Sequence, residues 1–384
     1  MTAGMNPVEI LAILPPERLT RLRRNLRRWY RRHGRQLPWR AAGDPYRVWI
    51  SEIMLQQTTV AAVAPYFERF LVRFPTVQSL AAANEGDVLR LWEGLGYYSR
   101  ARNVHKTARL LADDFGAAFP RDVSALRALP GIGRYTAGAI ASFAFDVSAP
   151  IVEANTLRLY CRLLGFEGDP RTAAGQQLLW KFAEHLIPRR RAGEFNQALM
   201  DLGATVCVPS GPKCHECPLH ADCAAFQSGK QESIPAARSR IPLTELTEAA
   251  VAVRKRGEYL LRRRSDSERW AGLWDFPRFE VNHGNTQSVG TNAGKRLSAT
   301  QAKHITQQVQ SLTGIRIETP VLLTTLKHTV TRYRITLRCL HAEYASGRLD
   351  ASSAPLRWVK PRDFGEYPLS VTGRKLADRI TDAL

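Results

Sequence analysis

The sequence predicts two regions, an all-helical region followed by a smaller α/β domain. Apolar residues recur at helical spacing up to about residue 204, whereas the alternation that is typical of strands begins near residue 249. Between these patterns, residues 229–246 lose periodicity and contain two prolines, as linkers do. We therefore expect a helical domain over residues 15–228 and an α/β domain over residues 247–384.

Composition and charge restrict the partners of the chain. Its 384 residues are 44% hydrophobic and 23% charged, which is typical of a globular protein, and its net charge is +20. Such an excess of positive charge indicates a polyanionic partner. The apolar patch at Val8–Leu14 contains Glu9 and is shorter than the ~20 residues of a membrane-spanning helix. We expect a cytoplasmic protein that binds nucleic acid and no membrane.

Much of the positive charge lies between residues 18 and 40. This segment contains ten arginines, interrupted by Trp29 and Tyr30, and almost no acid. A run of this kind mostly forms a solvated helix face that attracts phosphates at long range. We therefore expect few of these arginines to have specific roles.

A helix that begins near residue 45 carries the first candidate for chemistry. Asp44 and Pro45 predict its start, with Asp44 as the N-cap, and Glu52 then interrupts an apolar run. A carboxyl group in such surroundings is partly desolvated, which raises its pKa and suits it to donate a proton near neutral pH. The alternative is a glutamate at the solvent edge.

The second candidate is a glycine hairpin between two helical patterns. Pro130 ends the first helix, Gly131 and Gly133 follow, and a new helix starts near Tyr135. Glycine permits positive φ and close backbone approach, and the N–H groups of a helix start suit a phosphate oxygen. An ordinary corner between helices is the alternative.

Paired tyrosines follow another helix end. Gly94 and Gly96 precede Tyr97 and Tyr98, which we expect to be exposed ahead of two arginines. Aromatic rings beside arginines suit base stacking and backbone contact, although tyrosines between helices are also common in cores.

Four of the six cysteines fall within seventeen residues. In a cytoplasmic protein this indicates metal ligation in preference to disulfides. Four thiolates can enclose a cubane iron–sulfur cluster or a tetrahedral zinc ion. The cysteines, spaced C-x6-C-x2-C-x5-C, are Cys207, Cys214, Cys217 and Cys223.

The C-terminal part has the pattern of a small α/β domain. Strands at Ala249–Val253 and Glu258–Leu261, with a turn at Arg256 and Gly257, predict a hairpin. A half-buried strand is predicted over residues 333–339 and a helix from about Ser298 to Leu312.

In this order, the motifs resemble the adenine DNA glycosylases of the MutY type, in the helix-hairpin-helix, iron–sulfur branch that also contains endonuclease III. The resemblance covers about Leu37 to Cys223 and implies an all-α helix-hairpin-helix catalytic region with a 4Fe-4S cluster, rather than zinc, in the loop 207–223. Its motifs are LPWR at 37–40, PYRVWISEIMLQQT at 45–58, LWEGLGYYSRARN at 91–103, LPGIGRYTAGAI at 129–140 and FNQALMDLGA at 195–204.

The resemblance also implies an activity. Such enzymes flip adenine that is mispaired with oxoguanine or guanine out of double-stranded DNA and cleave its N-glycosidic bond. Glu52 matches the acid that protonates adenine at N7, and Glu153 matches the carboxylate, beside Asn155, that stabilises the cationic sugar. We expect a monomer at the bacterial nucleoid. The remaining matches are Tyr135 in the pocket, Gln57 and Tyr97 as wedges in the base stack, Gly131 and Gly133 at the DNA backbone, and Arg40 near the adenine.

Tyr135 distinguishes the two branches of this family. Endonuclease III-like enzymes have a lysine at this position, whose amine forms a Schiff base with the sugar and then cleaves the strand. A phenol cannot form that adduct, so we expect a monofunctional glycosylase. The alternatives are a bifunctional glycosylase/lyase and a DNA-binding relative with weakened catalysis.

Two features depart from the family pattern. The family has Asp-Gly-Asn where this chain has Glu153, Ala154 and Asn155, so the carboxylate is about one C–C bond, ~1.5 Å, further from its backbone. Misplacement by ~1 Å lowers the rate of an enzyme by about a hundredfold, unless the local backbone compensates. Asp146 is a spare carboxylate nearby, but its position predicts a turn or cap residue.

The second departure concerns the C-terminal domain, which resembles the Nudix-like lesion reader of the family. The motifs are WAGLWDFPRF at 270–279 and PLSVTGRKL at 368–376. Where the family reads oxoguanine with Phe-Ser-His, this chain has Val330, Thr331 and Arg332, which puts a preference for oxoguanine over guanine in question. No acid lies between Glu280 and Glu318, so the Mg²⁺-binding helix of Nudix hydrolases is not expected.

Overall fold

The computed structural model describes residues 14–40, 43–237, 242–281, 297–352 and 354–382. The apolar patch at Val8–Leu14 therefore lies almost entirely outside the described residues, as do part of the predicted linker and part of the acid-free segment after Glu280. Within the described ranges, every helix is too short or too polar to cross a membrane.

The chain packs as two units. The first lies within residues 1–82 and 103–239, and the second within residues 83–102 and 240–384. The short segment 83–102 thus belongs by its packing with the C-terminal region, although it lies in the middle of the helical part of the sequence.

Helices form the first unit, as the sequence predicts. Asp44 caps the second helix by accepting a hydrogen bond from the Tyr46 amide, and Thr59, Asp122 and Thr172 cap later helices in the same way. The helices up to the cysteine loop are α1 (Pro16–His33), α2 (Pro45–Leu55), α3 (Val60–Arg73), α4 (Val77–Ala81), α5 (Glu85–Leu91), α6 (Ser99–Asp114), α7 (Val123–Ala128), α8 (Arg134–Phe145), α9 (Ala154–Leu164), α10 (Ala173–Leu186) and α11 (Ala192–Thr205), of which α5 lies in the second unit and α6 begins there.

The core of the first unit is built from the apolar faces of these helices. Helix α8 packs against α2 and α11, and α11 also packs against α1 and α9. Leu22 and Leu26 of α1, Phe182 of α10 and Phe195 of α11 are almost completely buried in one cluster. Burial of side chains of this size stabilises the fold by about 1.5–3 kcal/mol each, which holds α2, α8 and α9 around a common cavity.

The second unit contains a mixed sheet. Strands β1 and β7 are parallel and the other pairs are antiparallel, in the order β3-β2-β1-β7-β5, with β4 and β8 paired to β1 and β2 and β6 paired to β7. The strands are β1 (Thr244–Lys255), β2 (Glu258–Arg263), β3 (Trp274–Asp275), β4 (Arg278–Glu280), β5 (Ile315–Ile317), β6 (Val321–Val330), β7 (Tyr333–Gly347) and β8 (Leu356–Val359).

Helices cover both faces of this sheet. Along β1, Ala250 and Ala252 belong to one apolar cluster, whereas the alternate residues Val251 and Val253 belong to another. The first cluster includes Leu376 and Ile380 of α14 (Val371–Thr381), and the second includes Ile305 and Val309 of α13 (Ala299–Thr313). Short α12 (Ala224–Gln227) precedes this unit. The predicted α/β character is confirmed.

The hairpin predicted between the first two strands is also confirmed. Arg254 pairs with Tyr259, and the turn residues Arg256 and Gly257 both have positive φ, of 50° and 82°. Strand β1, however, begins at Thr244, inside the segment predicted as a linker, because its first residues pair with β7 from Tyr333 onward.

Ion pairs explain why residues 83–102 pack with the second unit. Arg374 binds the Glu93 carboxylate with both Nε and Nη2, at 2.7 and 3.0 Å, and the Leu369 amide donates to the same group at 3.3 Å. Arg263 binds Glu85 at 3.0 Å, and Arg102 donates to the Ala271 carbonyl oxygen. Both C-terminal motifs quoted above supply these contacts.

Candidate active site

One cavity of the first unit, of about 950 Å³, brings together most of the predicted site residues. Its volume is at the upper end of the range for ligand pockets. Trp39, Val48, Leu55, Phe143 and Met200 form apolar parts of its wall. The predicted residues on the wall are Arg40, Glu52, Gln57, Tyr135, Glu153 and Asn155.

Glu52 is buried on α2 and faces this cavity. Its side chain is surrounded by the apolar run that the sequence suggested, and the residue is only 4% exposed, so a position at the solvent edge is wrong. The Tyr135 hydroxyl donates a hydrogen bond of 2.5 Å to Glu52 Oε2. Burial raises the pKa of Glu52 to about 7, and the charge of Glu153 adds to this, while Tyr135 and Arg40 oppose it. Glu52 therefore carries a proton during part of its time at neutral pH.

Tyr135 reaches Glu52 because it lies in the first turn of α8, directly after the glycine hairpin. Gly131 has φ of 76° and its Cα approaches the side chain of Asn103, so this position requires glycine on two counts. Gly133 has an ordinary φ of −80°, and the space where a Cβ would lie is open. Positive φ thus occurs at Gly131 and not at Gly133, whose open surface allows another backbone to approach.

The hairpin also presents the start of α8. Among the described residues, no side chain caps this helix. The first N–H groups of a helix have no partner within it, and the helix dipole is positive at this end. The predicted phosphate-binding corner thus has the backbone groups that it needs.

Glu153 caps α9 with its side chain. Its Oε2 accepts from the Asn155 amide and its Oε1 from the Thr156 amide, both at 2.9 Å, while its own amide donates to Thr156 Oγ1. Burial raises the pKa of Glu153, and these two backbone hydrogen bonds oppose the rise. The extra methylene is thus accommodated by a bend of the side chain back onto its own helix, with the carboxylate still lining the cavity.

Asn155 connects the cavity to the cysteine loop. Its Oδ1 accepts from Arg158 Nη2 at 3.0 Å, and Arg158 donates at 2.7 Å to the carbonyl oxygens of Gly203 and Cys207. Gly203 lies against Asn155 so closely that a Cβ there would meet it at 2.8 Å. Arg158 was missed by sequence reasoning, because a single arginine within a helix gives no signal of its role.

A buried aspartate orients the arginines at the cavity mouth. Asp201 has no exposed surface and binds Arg35 at 2.6 Å and Arg40 at 2.8 Å. Burial opposes ionisation of this group, but hydrogen bonds from Arg40 and Arg35 prevail and lower the pKa of Asp201. Arg40 lines the cavity as expected, with its guanidinium held by Asp201. The only sequence signal for Asp201 was its place in the motif FNQALMDLGA.

Gln197 is a further cavity residue that the sequence did not single out. Its Oε1 accepts a 2.7 Å hydrogen bond from the Tyr30 hydroxyl, which fixes the orientation of the amide at the wall. Gln57, a predicted wedge residue, lies just after α2 with a positive φ of 58°.

Tyr97 belongs to the second unit. It is 47% exposed with φ of 47°, and the Arg100 guanidinium lies 5.4 Å from its ring centroid. Tyr98 is only 4% exposed, so the expectation of two exposed tyrosines is wrong for the second. A single exposed ring with an adjacent guanidinium is the arrangement that stacking on a base requires.

The four predicted cysteine ligands line a second, much smaller cavity of about 20 Å³. Arg162 Nη1 donates to Cys207 Sγ at 3.3 Å. Burial, with a further contribution from the neighbouring thiols, raises the pKa of Cys217 to about 12. Within the described residues, no three His, Cys, Asp or Glu side chains are arranged to hold one metal ion. All four cysteines nevertheless line one cavity.

In the second unit, the residues at the predicted lesion-reading position form the tip of the β6–β7 hairpin. Val330 pairs with Tyr333, and Thr331 has φ of 51°. Thr331 and Arg332 are exposed; the Thr331 hydroxyl donates to the Val330 carbonyl oxygen and Arg332 to the Tyr333 hydroxyl.

Comparison with known proteins identifies both regions. Residues 50–185 match the family model described as the HhH-GPD superfamily base excision DNA repair protein, and residues 249–379 match the NUDIX domain. The adenine DNA glycosylase of Buchnera aphidicola from Schizaphis graminum is 40% identical over 254 residues, which cover 66% of this chain and 73% of that protein. The chain belongs to the adenine DNA glycosylase family.

Other members of this family match a larger part of the chain. The human adenine DNA glycosylase is 32% identical over 420 residues, covering 93% of this chain and 73% of the human protein. Among solved structures, a thermostable thymine-DNA glycosylase is 29% identical with a TM-score of 0.51, covering 55% of this chain and 98% of that one. The predicted family and fold class, a helix-hairpin-helix region followed by a Nudix-like domain, are confirmed.

Proposed function

We propose that this adenine DNA glycosylase removes adenine from mispairs with oxoguanine or guanine in double-stranded DNA, and that Glu52 and Glu153 perform the chemistry. This assignment depends on one observation, namely the two carboxyl groups that line the same cavity. A buried acid with a pKa of about 7 and a second carboxylate, held by a helix start, line one cavity. Cleavage through a cationic sugar requires one protonated acid and one ionised carboxylate.

In the proposed reaction, the flipped adenine enters the cavity and Glu52 donates its proton to N7. The glycosidic bond then breaks with its electron pair moving to the base, and the negative charge of Glu153 stabilises the cationic sugar. Water attacks the sugar, and the Glu52 carboxylate accepts the proton that the water loses, which restores the acid. Tyr135 orients Glu52 throughout.

The same cavity supports a monofunctional enzyme. A lyase step needs an amine that forms a Schiff base with the sugar. The described residues that line the cavity include arginines, amides and hydroxyl groups but no lysine. We expect the enzyme to act as a monomer at nucleoid DNA, in agreement with its charge of +20.

We assign a 4Fe-4S cluster to the four cysteines. All four cysteines line one cavity, and their spacing C-x6-C-x2-C-x5-C is that of the iron–sulfur branch of the family, whereas structural zinc sites more often use two short C-x2-C pairs. Burial raises the pKa of Cys214, Cys217 and Cys223, so these thiols need a cationic centre to be held as thiolates. When bound, the cluster would cross-link the loop 207–223 and stabilise its fold.

We expect the hairpin tip at Thr331 to distinguish oxoguanine from guanine only weakly. The Thr331 hydroxyl can replace that of the family's serine, but Val330 and Arg332 stand where the family has the aromatic ring and the imidazole, so little remains to distinguish oxoguanine from guanine. We expect the two mispairs to be processed with rates that differ by about tenfold or less, which is ~1.4 kcal/mol.

The experiment is single-turnover incubation of the full chain with duplexes that contain adenine opposite oxoguanine, guanine or thymine, followed by alkali. We expect strand breaks at adenine only after alkali and only for the first two duplexes. Breakage without alkali, together with a borohydride-trapped adduct, would support the lyase alternative. Tight binding without adenine release would support a DNA-binding relative.

A further inference from the structure

The arginines of α1 divide into two classes that the sequence does not distinguish. Most are tied to the fold of the first unit. Arg18 and Arg21 bind Asp222, Arg27 and Arg31 bind Glu194, and Arg23 donates to the carbonyl oxygens at the end of α10, while Arg35 and Arg40 after the helix bind Asp201.

Three arginines remain outside these contacts. Arg24, Arg28 and Arg32, which we call the arginine row, are exposed and make no hydrogen bond or ion pair with any described residue. They follow one another at intervals of four residues and therefore lie on one face of the helix, opposite the buried Leu22 and Leu26. Successive Cα atoms of the row are about 6 Å apart along the helix axis, so the row spans about 12 Å.

The surroundings of the row are strongly positive. Arg27 and Arg31 lie beside it and share the single carboxylate of Glu194 with Arg191. Glu17, in the first turn, is the one acid in the sequence of α1. Three parallel guanidinium groups without local partners are kept apart only by solvent, and this is a cost that a polyanion would remove.

We propose that the arginine row binds the phosphate backbone of the duplex that flanks the target adenine. The identity of the partner rests on the proposed function. Each strand carries one phosphate per about 3.4 Å of the duplex axis, so a row of about 12 Å that lies along this axis spans three to four phosphates of one strand. Guanidinium groups suit this contact because they donate paired hydrogen bonds to phosphate oxygens.

The position of the row on the fold favours DNA over other polyanions. The chain that leaves the C-terminal end of α1 supplies Arg35, Leu37 and Arg40 to the wall of the cavity. The last arginine of the row, Arg32, is therefore only three residues in sequence from a residue of the cavity wall. A duplex whose base enters the cavity continues in both directions, and we infer that one of these continuations contacts the row.

The test is a triple variant, Arg24→Gln, Arg28→Gln and Arg32→Gln, in the full chain. A matched control removes three exposed cations elsewhere in the first unit, through Arg73→Gln, Lys106→Gln and Arg109→Gln. Affinity is measured against salt concentration for an undamaged short duplex and for a long one that extends about two helical turns beyond each side of the centre.

For the long duplex, we expect the row variant to lower the slope of log affinity against log salt by about 2.7, which corresponds to three lost phosphate contacts, and to weaken binding at least about tenfold. The short duplex should be bound as by the native chain. The single-turnover rate of adenine release at saturating enzyme should not change, because the row does not reach the cavity.

If the row variant and the control lose equal affinity for the long duplex, the proposal is overturned, since only total charge would then matter. An unchanged slope, or a loss that appears for RNA or anionic vesicles but not for the long duplex, would overturn it as well. A failure of the proposed function would look different. The native chain would then release no adenine, while the slopes of log affinity against log salt would still differ between the native chain and the row variant.

Discussion

The two carboxylates of the cavity differ in how the fold holds them. Glu52 lies inside a helix, surrounded by apolar side chains, and its one hydrogen-bond donor among the described contacts is the Tyr135 hydroxyl. Glu153 lies at a helix start and accepts two backbone N–H bonds. Burial raises the pKa of both groups, and it is opposed by one hydroxyl donor at Glu52 but by two backbone N–H donors at Glu153. The difference in donors favours a protonated acid at Glu52 and an ionised carboxylate at Glu153.

The largest expected effect is that of Glu52→Gln. The variant retains the shape of the side chain but has no proton to donate, so single-turnover adenine release should fall by about a thousandfold or more. Glu68→Gln, an exposed position on α3, is the matched control and should leave the rate unchanged. A rate for Glu52→Gln within tenfold of the native rate would remove Glu52 from the mechanism.

The comparison also predicts opposite effects on stability. The folded-state pKa of Glu52, about 7, is above its ordinary value of 4.5, so its contribution to stability is present below pH 4.5 and is lost as the pH rises to 7. Glu52→Gln should therefore stabilise the protein above pH 7, by up to about 3 kcal/mol. Glu153→Gln replaces one of the two oxygens that accept from the Asn155 and Thr156 amides by an NH₂ group, and the loss of this capping bond should destabilise the protein by about 1 kcal/mol. Urea unfolding at pH 5 and pH 8 would measure both, and the same sign for both variants at pH 8 would contradict the comparison.

Changes at Glu153 sharpen its assigned role. Glu153→Gln should lower the rate of adenine release by about a hundredfold, because the cationic sugar loses its counter-charge. Glu153→Asp keeps the charge and is a good helix cap, so its rate should stay within about tenfold of the native rate. Full activity of the Gln variant in single-turnover assays would show that capping, and not charge, is the function of this residue.

The smallest effect is expected from Tyr135→Phe. The Tyr135 hydroxyl lowers the pKa of Glu52, so its removal should move the alkaline limb of the pH–rate profile to higher pH. In the native enzyme the rate should fall about tenfold per pH unit well above pH 7. Tyr46→Phe serves as the control. Tyr46 lies on α2, the helix that also carries Glu52, and its buried hydroxyl donates to the Phe74 carbonyl oxygen. If the alkaline limb shifts in both variants, or in neither, the Tyr135 hydroxyl does not set the pKa of Glu52.

Much of the site could be predicted because its residues lie in local patterns. The Asp44–Pro45 helix start, the glycine hairpin and the buried position of Glu52 follow from helix periodicity and capping, which depend on neighbours in sequence. The expectation that both tyrosines are exposed was wrong, because Tyr98 is buried by packing that its neighbours in sequence do not determine.

Several functional features could not be predicted at all. Asp201 and Arg158 carry little signal in the sequence, because the role of Asp201 depends on Arg35 and Arg40 and that of Arg158 on Cys207, which are all distant in the sequence. The packing of residues 83–102 with the C-terminal unit depends in the same way on the Glu93–Arg374 pair, whose members are 281 residues apart.

The sequence by itself determined the family, the order of the two regions and the residue types of the site, since these depend on motifs that neighbouring residues carry. Only the tertiary structure decided how the extra methylene of Glu153 is accommodated and which arginines of α1 remain available to DNA. Both depend on hydrogen bonds and ion pairs formed in three dimensions. The bend of Glu153 onto its helix requires the amides of Asn155 and Thr156, and the arginine row is left free because three distant carboxylates occupy its neighbours.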